Sequence, residues 1–381
     1  MATLPDLLKQ MVELQGSDLH LSIGSVPQTR VHGELVKMNH PELNATETKS
    51  LSYAVLTDAQ KKRFEETKEL DFSFGIRGLA RFRCNMFNQK GAVGAVYRTI
   101  PERIRPFDEL GLPPVLAKMA ERPRGLVLVT GPTGSGKSTT LAAMIDKINT
   151  ERRGHILTVE DPIEYIHTHK NCLINQRELH SDTDSFTNAL RAALREDPDV
   201  VLIGEMRDLE TVESALRIAE TGHLTFGTLH TNSASSTINR IIDVFPSHQQ
   251  AQIRTQLSLV IEGIVCQSLL PKADGKGRVV SLEILVPTPG IRNLIREDKV
   301  HQIYSAMQTG QEKLGMQTMN QSLATLYFRR QITLETAIHA SSNREELHEM
   351  VNRGAGVVAG AGMGGRPGGP PGTRPPMRPG S

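Results

Sequence analysis

The chain has 381 residues, enough for two or three domains of ordinary size. Hydrophobic residues make up 38% of it and charged residues 23%, which excludes a chain that is disordered throughout. Lys and Arg total 44 against 42 Asp and Glu, and this near-neutral balance argues against a protein that coats nucleic acid or an acidic membrane.

The cysteines and the N-terminus indicate the compartment. Cys84, Cys172 and Cys266 are far apart and form no CxxC pair, which is typical of buried thiols in a reducing compartment. The first residues, MATLPDLLKQMVELQ, predict an amphipathic helix rather than a secretory signal, and no apolar run reaches the roughly 18 residues of a membrane span. We therefore expect a cytoplasmic protein that reaches a membrane only through a partner.

The sequence pattern of residues 1–100 predicts a small α+β domain. After the first helix, period-two alternation predicts several strands, and two stretches between them are helical in pattern. The predicted strands are Asp18–Ile23, Gln28–Val36, Asp71–Phe74, Ala80–Phe87 and Gly91–Ile100, and the predicted helices are Ala45–Leu56 and Asp58–Thr67.

A basic face is predicted on the sheet of this domain. Alternation places one set of residues on the outer face of the strand, namely Arg81, Arg83 and Asn85, and the other on the core face, namely Phe82, Cys84 and Met86; Arg98 lies on the next strand. Three guanidinium groups on one face repel one another unless an anion binds them, and the nucleotide of an adjacent subunit is one such anion. A solvated or ion-paired basic face is the alternative.

The remainder of the chain changes character twice. Residues 101–123 carry five prolines and predict an interdomain linker. Over residues 124–290, apolar runs alternate with helical patterns, which indicates an α/β domain whose parallel sheet is covered on both faces. Residues 291–353 predict a helical region. The apolar runs are Leu126–Thr130, His155–Val159, Val200–Ile203 and Leu224–Leu229.

Residues 354–381 differ in composition from the rest of the chain. They hold ten of the 32 Gly, six of the 21 Pro and three Arg, and no acidic residue. Without them the balance is 41 basic against 42 acidic residues, so the slight basic excess belongs to this segment alone. A Gly- and Pro-rich segment buries too little apolar surface to fold, and we expect a disordered tail.

A phosphate-binding loop follows the first apolar run. Residues 131–138, GPTGSGKS, match G-x-x-x-x-G-K-[ST] between a predicted strand and a predicted helix. Backbone N–H groups of the loop bind phosphates, Lys137 adds a charge at the β- and γ-phosphates, and the Ser138 hydroxyl is a ligand for Mg²⁺. We expect ATP as the nucleotide, because no NKxD-like segment argues for GTP. The predicted binding residues are Gly131, Thr133, Gly134, Ser135, Gly136, Lys137, Ser138 and Thr139.

Carboxylates follow two other apolar runs. Glu205 comes just after Val200–Ile203, where a P-loop protein needs a carboxylate, and it can hold Mg²⁺ through a water molecule. Glu160, Asp161 and Glu164 follow His155–Val159, and Glu160 is the preferred candidate to deprotonate the attacking water. A solvated acidic turn is the alternative for these three.

Two histidines bracket the fourth apolar run. His230 follows it, where a sensor of the γ-phosphate belongs, and His223 precedes it as a second candidate for nucleotide contact. His167 and His169 are spaced for one strand face, but no further ligand lies near them in the sequence, so a metal site there is not expected.

In combination, these segments resemble the boxes of the bacterial secretion ATPase superfamily. The matching segments are the loop at 131–138, residues 156–164, residues 204–208 and residues 221–232. Ile291–Glu297 resembles the segment that marks the pilus retraction branch. The resemblance implies a PAS-like N-terminal domain, a RecA-like P-loop domain, and a hexamer at the cytoplasmic base of a type IV pilus, next to an inner-membrane platform protein. ATP hydrolysis would drive pilin subunits back into the membrane and power twitching motility.

The resemblance also implies roles for particular residues. Glu160 would be the base, Glu205 the Walker B carboxylate and His230 a contact to the γ-phosphate. Arg81, Arg83 and Arg98 would reach a nucleotide across a subunit junction. Ile291–Glu297 would matter for retraction rather than for hydrolysis.

Three other functions remain as alternatives. The first is an accessory retraction paralogue of the same family. The second is a nucleic-acid motor, although the folded part has a charge of −1 and few aromatic residues, so we expect no direct nucleic-acid contact. The third is an adaptor that binds ATP without hydrolysing it, which the full set of carboxylates disfavours.

Overall fold

The chain has the mixed α/β fold that the sequence predicts. The computed structural model describes residues 2–31, 33–100, 103–308 and 314–354, so the expected tail beyond Gly354 lies outside the described residues. The chain divides into two compact units. The first comprises Met1–Leu269 and Val280–Thr318, and the second comprises Leu270–Val279 and the described residues from Met319 onward.

The first sheet has six strands in the order β3-β2-β1-β6-β5-β4, and its paired neighbours run antiparallel. Three helices accompany it, and each begins at a Thr or Asn whose side chain accepts a backbone N–H, which is the usual start of a helix. The strands are β1 (Asp18–Leu21), β2 (Gln28–Val31), β3 (Glu34–Lys37), β4 (Glu69–Ile76), β5 (Ala80–Gln89) and β6 (Ala92–Ile100); the helices are α1 (Leu4–Glu13), α2 (Ala45–Tyr53) and α3 (Asp58–Thr67).

The alternation expected in β5 is confirmed. Phe82, Cys84 and Met86 are fully buried, while the alternating Arg81 and Arg83 are partly exposed. Because β5 and β6 pair in register, Arg83 lies directly opposite Arg98. The sheet therefore places its arginines on one face, away from the core.

One expected strand is divided into two. The segment Gln28–Val36 forms the hairpin β2–β3, with Gly33 at a φ of +96° in the turn. A positive φ of this size is accessible to glycine and strained for other residues, so the glycine marks the turn that the alternation alone did not reveal.

The proline-rich stretch contains two short helices, α4 (Phe107–Leu110) and α5 (Pro114–Ala120). Pro114 occupies the first turn of α5, where its missing N–H costs no hydrogen bond. Leu116 and Met119 are buried in the core under the second sheet. Proline therefore starts a helix within the predicted linker.

The second sheet has seven strands in the order β13-β12-β7-β11-β10-β8-β9. From β12 to β9 all paired neighbours run parallel, and two apolar clusters bury the two faces. The four expected strands form its centre, which confirms the predicted parallel sheet. The strands are β7 (Gly125–Thr130), β8 (His155–Glu160), β9 (Leu173–Glu178), β10 (Val200–Ile203), β11 (Leu224–Leu229), β12 (Ile261–Pro271) and β13 (Arg278–Leu285).

Three strands of this sheet were not predicted. β9 has the sequence LINQRE, whose polar residues mask a strand at the sheet edge. β12 follows the preceding helix at Val260 without an intervening turn, so no Gly or Pro signals the change from helix to strand. β13 is the third strand that was not predicted, and β9 and β12 contribute to the site described below.

The remaining helices accompany the second sheet and the C-terminal part. They are α6 (Lys137–Glu151), α7 (Phe186–Ala193), α8 (Leu209–Glu220), α9 (Ala234–Asp243), α10 (Ser247–Val260), α11 (Pro289–Arg296), a 3-10 turn (Val300–Gln302), α12 (Ile303–Gln308), α13 (Met319–Phe328), α14 (Leu334–Ala340) and α15 (Arg344–Asn352). Within the described ranges, none of these helices has both the length and the apolar character to cross a bilayer.

Candidate nucleotide site

The phosphate loop lies between the buried strand β7 and helix α6. Gly131 has a φ of +139°, and a Cβ there would clash with the backbone oxygen of Gln267. Gly136 precedes α6 with a φ of +89°. These conformations favour glycine and turn the backbone sharply before the helix N-terminus, which is the geometry that a phosphate cradle requires.

Gln267 on β12 forms a hydrogen bond to the phosphate loop. Its side-chain Nε2 donates a 2.7 Å hydrogen bond to the backbone oxygen of Ser135, and both residues are buried. The hydroxyl of Ser135 is buried too and has no hydrogen-bond partner among the described residues. Sequence reasoning missed Gln267, because a lone glutamine 132 residues from its partner carries no local signal.

Lys137 points back across the loop. Its Nζ donates hydrogen bonds to the backbone oxygens of Gly131 at 2.8 Å and Pro132 at 3.2 Å. Burial lowers the pKa of Lys137, and the nearby Glu205 carboxylate opposes that effect. The ammonium group therefore lies within the loop, where phosphates bind in P-loop proteins.

Glu160 ends β8 and is only 8% exposed. Its carboxylate accepts hydrogen bonds from the Thr158 hydroxyl at 2.7 Å, the Gln176 amide at 3.3 Å and the Glu164 backbone N–H at 3.4 Å. Burial raises the pKa of Glu160 to about 7, although these hydrogen bonds counteract the shift. A carboxylate with such a pKa can accept a proton near neutral pH.

Glu205 lies just beyond β10 and is paired on two sides. Arg207 contacts both carboxylate oxygens at 2.5 Å, and His230 Nε2 lies 3.1 Å from Oε1. Burial alone would raise the pKa of Glu205, but the hydrogen bond and charge of Arg207, with His230 and Lys137, hold it below its usual value. Glu205 is therefore ionised at neutral pH, which a carboxylate must be in order to bind a metal ion.

Gly204 allows the ends of two strands to approach each other. Its N–H donates to the Val159 oxygen at 2.8 Å, and a Cβ at this position would lie 3.0 Å from the Cα of Glu160. The close approach brings Glu205 and Glu160 to one edge of the sheet, at the carboxyl ends of neighbouring parallel strands.

Residues of the phosphate loop, the carboxylates at the strand ends and His230 line one cavity of about 340 Å³. It brings together the predicted phosphate-binding, metal-binding and acid–base groups, and Arg83 joins them from the first sheet. Of the predicted site residues, those that line it are Arg83, Thr133, Gly134, Lys137, Ser138, Glu160, Asp161, Glu164, Glu205 and His230.

Two predicted binding residues have other contacts. The Thr139 hydroxyl lies 3.0 Å from the hydroxyl of Tyr165, which itself lines the cavity. His223 lies at the amino end of β11, and its Nδ1 is 3.0 Å from the Ile218 oxygen. His230 follows the carboxyl end of that strand, so the strand separates the two histidines. The structure therefore does not bring His223 to the cavity.

The three arginines of the first sheet differ in their surroundings. Arg83 lines the cavity of its own chain and lies 3.9 Å from Glu164. Arg98 is mostly exposed and pairs with Asp18 at 2.7 Å. Arg81 pairs with Glu178 at 3.4 Å on the second sheet. Each of the three therefore has a carboxylate partner within its own chain. The expectation that they act on a neighbour's nucleotide stays a prediction.

A magnesium ion would fit the polar groups of the cavity. The Ser138 hydroxyl and the Glu205 carboxylate are hard oxygen donors on its wall, and Mg²⁺ commonly takes one or two protein oxygens and completes its shell with phosphates and water. Across the described ranges, no group of three or more His, Cys, Asp and Glu side chains forms a metal site by itself. Burial lowers the pKa of His167 to about 4, and the Nδ1 of His169 accepts the Ile174 N–H.

A glycine loop between a buried parallel strand and a helix, with carboxylates at neighbouring strand ends, defines a P-loop nucleoside-triphosphate-binding protein. The chain matches the type II/IV secretion system protein family over residues 4–354, and it belongs to that family.

Several relatives refine this assignment. The type IV pilus retraction ATPase PilT of Pseudomonas aeruginosa is 54% identical over 87% of this chain and 96% of its own length. A twitching motility protein of Neisseria gonorrhoeae is 53% identical over 84% of this chain and 86% of its own length. The type IV pilus ATPase PilU of Pseudomonas aeruginosa is 43% identical over 92% and 91%. The predicted resemblance to the pilus retraction branch is confirmed.

Solved structures agree with these sequence matches. A crystal structure of the pilus retraction motor PilT with bound ADP has a TM-score of 0.87 at 51% identity, covering 92% of this chain and 100% of that one. The ATPase DotB of Legionella pneumophila has a TM-score of 0.74 at 26% identity, covering 87% and 93%.

Proposed function

We propose that this chain is an ATPase that hydrolyses ATP to power retraction of a type IV pilus. The observation that carries the proposal is the single cavity that joins Lys137 and Ser138 of the phosphate loop to Glu160, Glu205 and Arg83. The similarity to a retraction ATPase over nearly its whole length supports the same activity in this chain.

Binding and orientation come from the loop and the strand ends. The loop N–H groups and Lys137 hold the phosphates, and the α6 N-terminus favours their negative charge. Ser138 and Glu205, the latter through water, would hold Mg²⁺, and the bound ion would neutralise charge on the phosphates. Arg207 keeps Glu205 ionised and oriented for that task.

Hydrolysis requires a base and a group that stabilises the developing charge. Glu160, with its pKa of about 7, takes the proton of the attacking water. His230, held beside Glu205, contacts the γ-phosphate. Arg83, which also lines the cavity, stabilises the negative charge that develops on the transferred group.

The wider assembly belongs to the same proposal. We propose a PAS-like domain at residues 1–100, the 101–123 linker and a RecA-like domain at 124–290, followed by a helical region at 291–353. Six copies would form a ring at the base of the pilus and contact an inner-membrane platform protein, with no direct nucleic-acid contact. The resemblance to the secretion ATPase superfamily supports this arrangement.

An accessory retraction motor is the second candidate. The chain is 54% identical to PilT and 43% identical to PilU, which is named only as a pilus ATPase. The higher identity favours the principal retraction motor. If the accessory role were the true one, deleting the gene would leave retraction in place as long as the principal motor is present.

The test of hydrolysis is the Lys137→Ala variant. Loss of the charge at the β- and γ-phosphates should lower ATP turnover by roughly 10²–10³-fold, in the range found for removing one preorganised donor. The control is Lys147→Ala on the same helix, because Lys147 pairs with Glu151 and Glu121 and does not line the cavity. Turnover is measured by phosphate release at saturating ATP. Wild-type turnover in Lys137→Ala would contradict the site assignment.

A further inference from the structure

Glu178 is a buried acid that no predicted motif contains. It ends β9, and its side chain is 5% exposed. Its carboxylate accepts hydrogen bonds from the hydroxyl of Ser73 at 2.8 Å and the backbone N–H of Ile163 at 3.1 Å. The Ser181 hydroxyl lies 3.3 Å away. A single carboxylate thus joins three separate segments of the chain.

The first of these contacts reaches the sheet of residues 18–100. Ser73 lies on β4 and Arg81 on β5, and Arg81 donates to the Ser73 hydroxyl at 2.6 Å and lies 3.4 Å from Glu178. A mostly buried carboxylate that has an ion-pair partner and several hydrogen bonds is held firmly in place, because loss of those partners would leave a buried charge unpaired. Glu178 therefore fixes this part of β4 and β5.

Arg83 follows Arg81 by two residues on the same face of β5, about 7 Å along the strand. It lines the nucleotide cavity, but its own carboxylate contact, to Glu164, is long at 3.9 Å. The position of Arg83 therefore depends on the strand that carries it. That strand is fixed at Arg81, through Glu178.

The Ile163 contact reaches a second segment that lines the cavity. Ile163 belongs to the segment 160–164, which contains Glu160 and Glu164. Its N–H donates to the same oxygen of Glu178 that Arg81 approaches. One carboxylate thus ties the strand that carries Arg83 to the segment that carries the base.

We propose that Glu178 is a positioning residue for hydrolysis, which sets the distance between Arg83 and the segment that carries Glu160. This inference rests on the proposed ATPase function. It assigns different tasks to two of the arginines: Arg81 anchors the sheet through Glu178, and Arg83 contacts the nucleotide. Because Glu178 does not line the cavity, its effect on turnover must pass through these neighbours.

Breaking an ion pair that has only a structural role would also lower the stability of the fold. The test therefore needs a measurement that does not change when stability alone changes. A double-mutant cycle in kcat supplies it, since effects add only when two residues act independently. The variants are Glu178→Gln, Arg83→Gln and the double variant, made in the full chain. Thermal unfolding is followed in parallel.

Glu178→Gln should lower kcat by about 10- to 100-fold, the loss expected when a reacting group is displaced by about 1 Å, with a smaller change in KM for ATP. In the Arg83→Gln background the same change should cost clearly less than in the wild-type chain. The matched control is Glu196→Gln, which breaks the 3.0 Å pair with Arg177 on the same strand and should leave kcat unchanged.

If Glu178→Gln does not fold, Ser73→Ala replaces it in the cycle, because it removes the hydroxyl that bridges Arg81 and Glu178. Losses that multiply in the double variant would overturn the inference, as would an unchanged kcat in Glu178→Gln or in Arg83→Gln. Those outcomes leave the ATPase function intact. A wild-type chain without ATP turnover would overturn the proposed function, and the inference with it.

Discussion

At the scale of single residues, the burial of Glu160 determines how the site responds to pH. The carboxylate is removed from water and its pKa rises to about 7, while the Thr158 hydroxyl and the Gln176 amide stabilise the charged form. A base works only when ionised, so turnover should fall as the pH drops through about 7. The acid limb of the pH profile therefore reports on this one residue.

The Thr158→Val variant tests that link. Removing a hydrogen bond to the ionised carboxylate raises the pKa of Glu160, so the acid limb of kcat/KM should move to higher pH by about 1 unit, the equivalent of one hydrogen bond. The control is Thr225→Val on β11, whose buried hydroxyl has no partner within the described part of the chain. An acid limb that stays in place, or that moves equally in both variants, would contradict the role of Glu160.

Residues of the site were predictable from the sequence where they belong to a local pattern. Lys137 and Ser138 follow from the loop itself, and Glu160 and Glu205 follow because each ends an apolar run. Gln267 and Glu178 were not predictable, because each acts on a segment far away in the sequence and lies on a strand that the sequence did not reveal.

At the scale of elements, the direction of a parallel strand decides which of the two residues that flank it reaches the nucleotide cavity. β11 has six residues, and a strand of that length spans about 20 Å, so His230 and His223 lie at opposite edges of the sheet. The sequence contained this information, since one histidine precedes the strand and the other follows it. The strands β9 and β12 were missed because polar residues and the absence of a turn concealed them.

The contact between the phosphate loop and β12 is tested by Gly131→Ala. A Cβ at Gly131 meets the backbone oxygen of Gln267, so the loop must shift, and nucleotide affinity should fall by roughly tenfold or more. Gly275→Ala is the control, because it has a φ of +71° with no atom within 4 Å of a Cβ and lies outside the cavity. Affinity is measured with a fluorescent ADP analogue. Equal affinity in the two variants would show that the close approach does not matter.

At the scale of the whole molecule, the sequence predicted both sheets and their order, but not how the first sheet serves the second. The alternation in β5 correctly placed the arginines on one face. It could not tell which carboxylates would meet them, because Glu164 and Glu178 lie about 80 to 100 residues further along the chain. Arg83 lines the cavity of its own chain. The role across a subunit junction that the sequence suggests stays a prediction.

Retraction of the pilus is tested most directly in the cell. A strain that lacks this gene should carry excess pili and fail to twitch, because pili would extend without being withdrawn. The wild-type gene should restore twitching, and the Lys137→Ala gene should not, although its protein accumulates to the same level. A bald strain would mean that the protein extends pili, and that result would contradict a retraction motor.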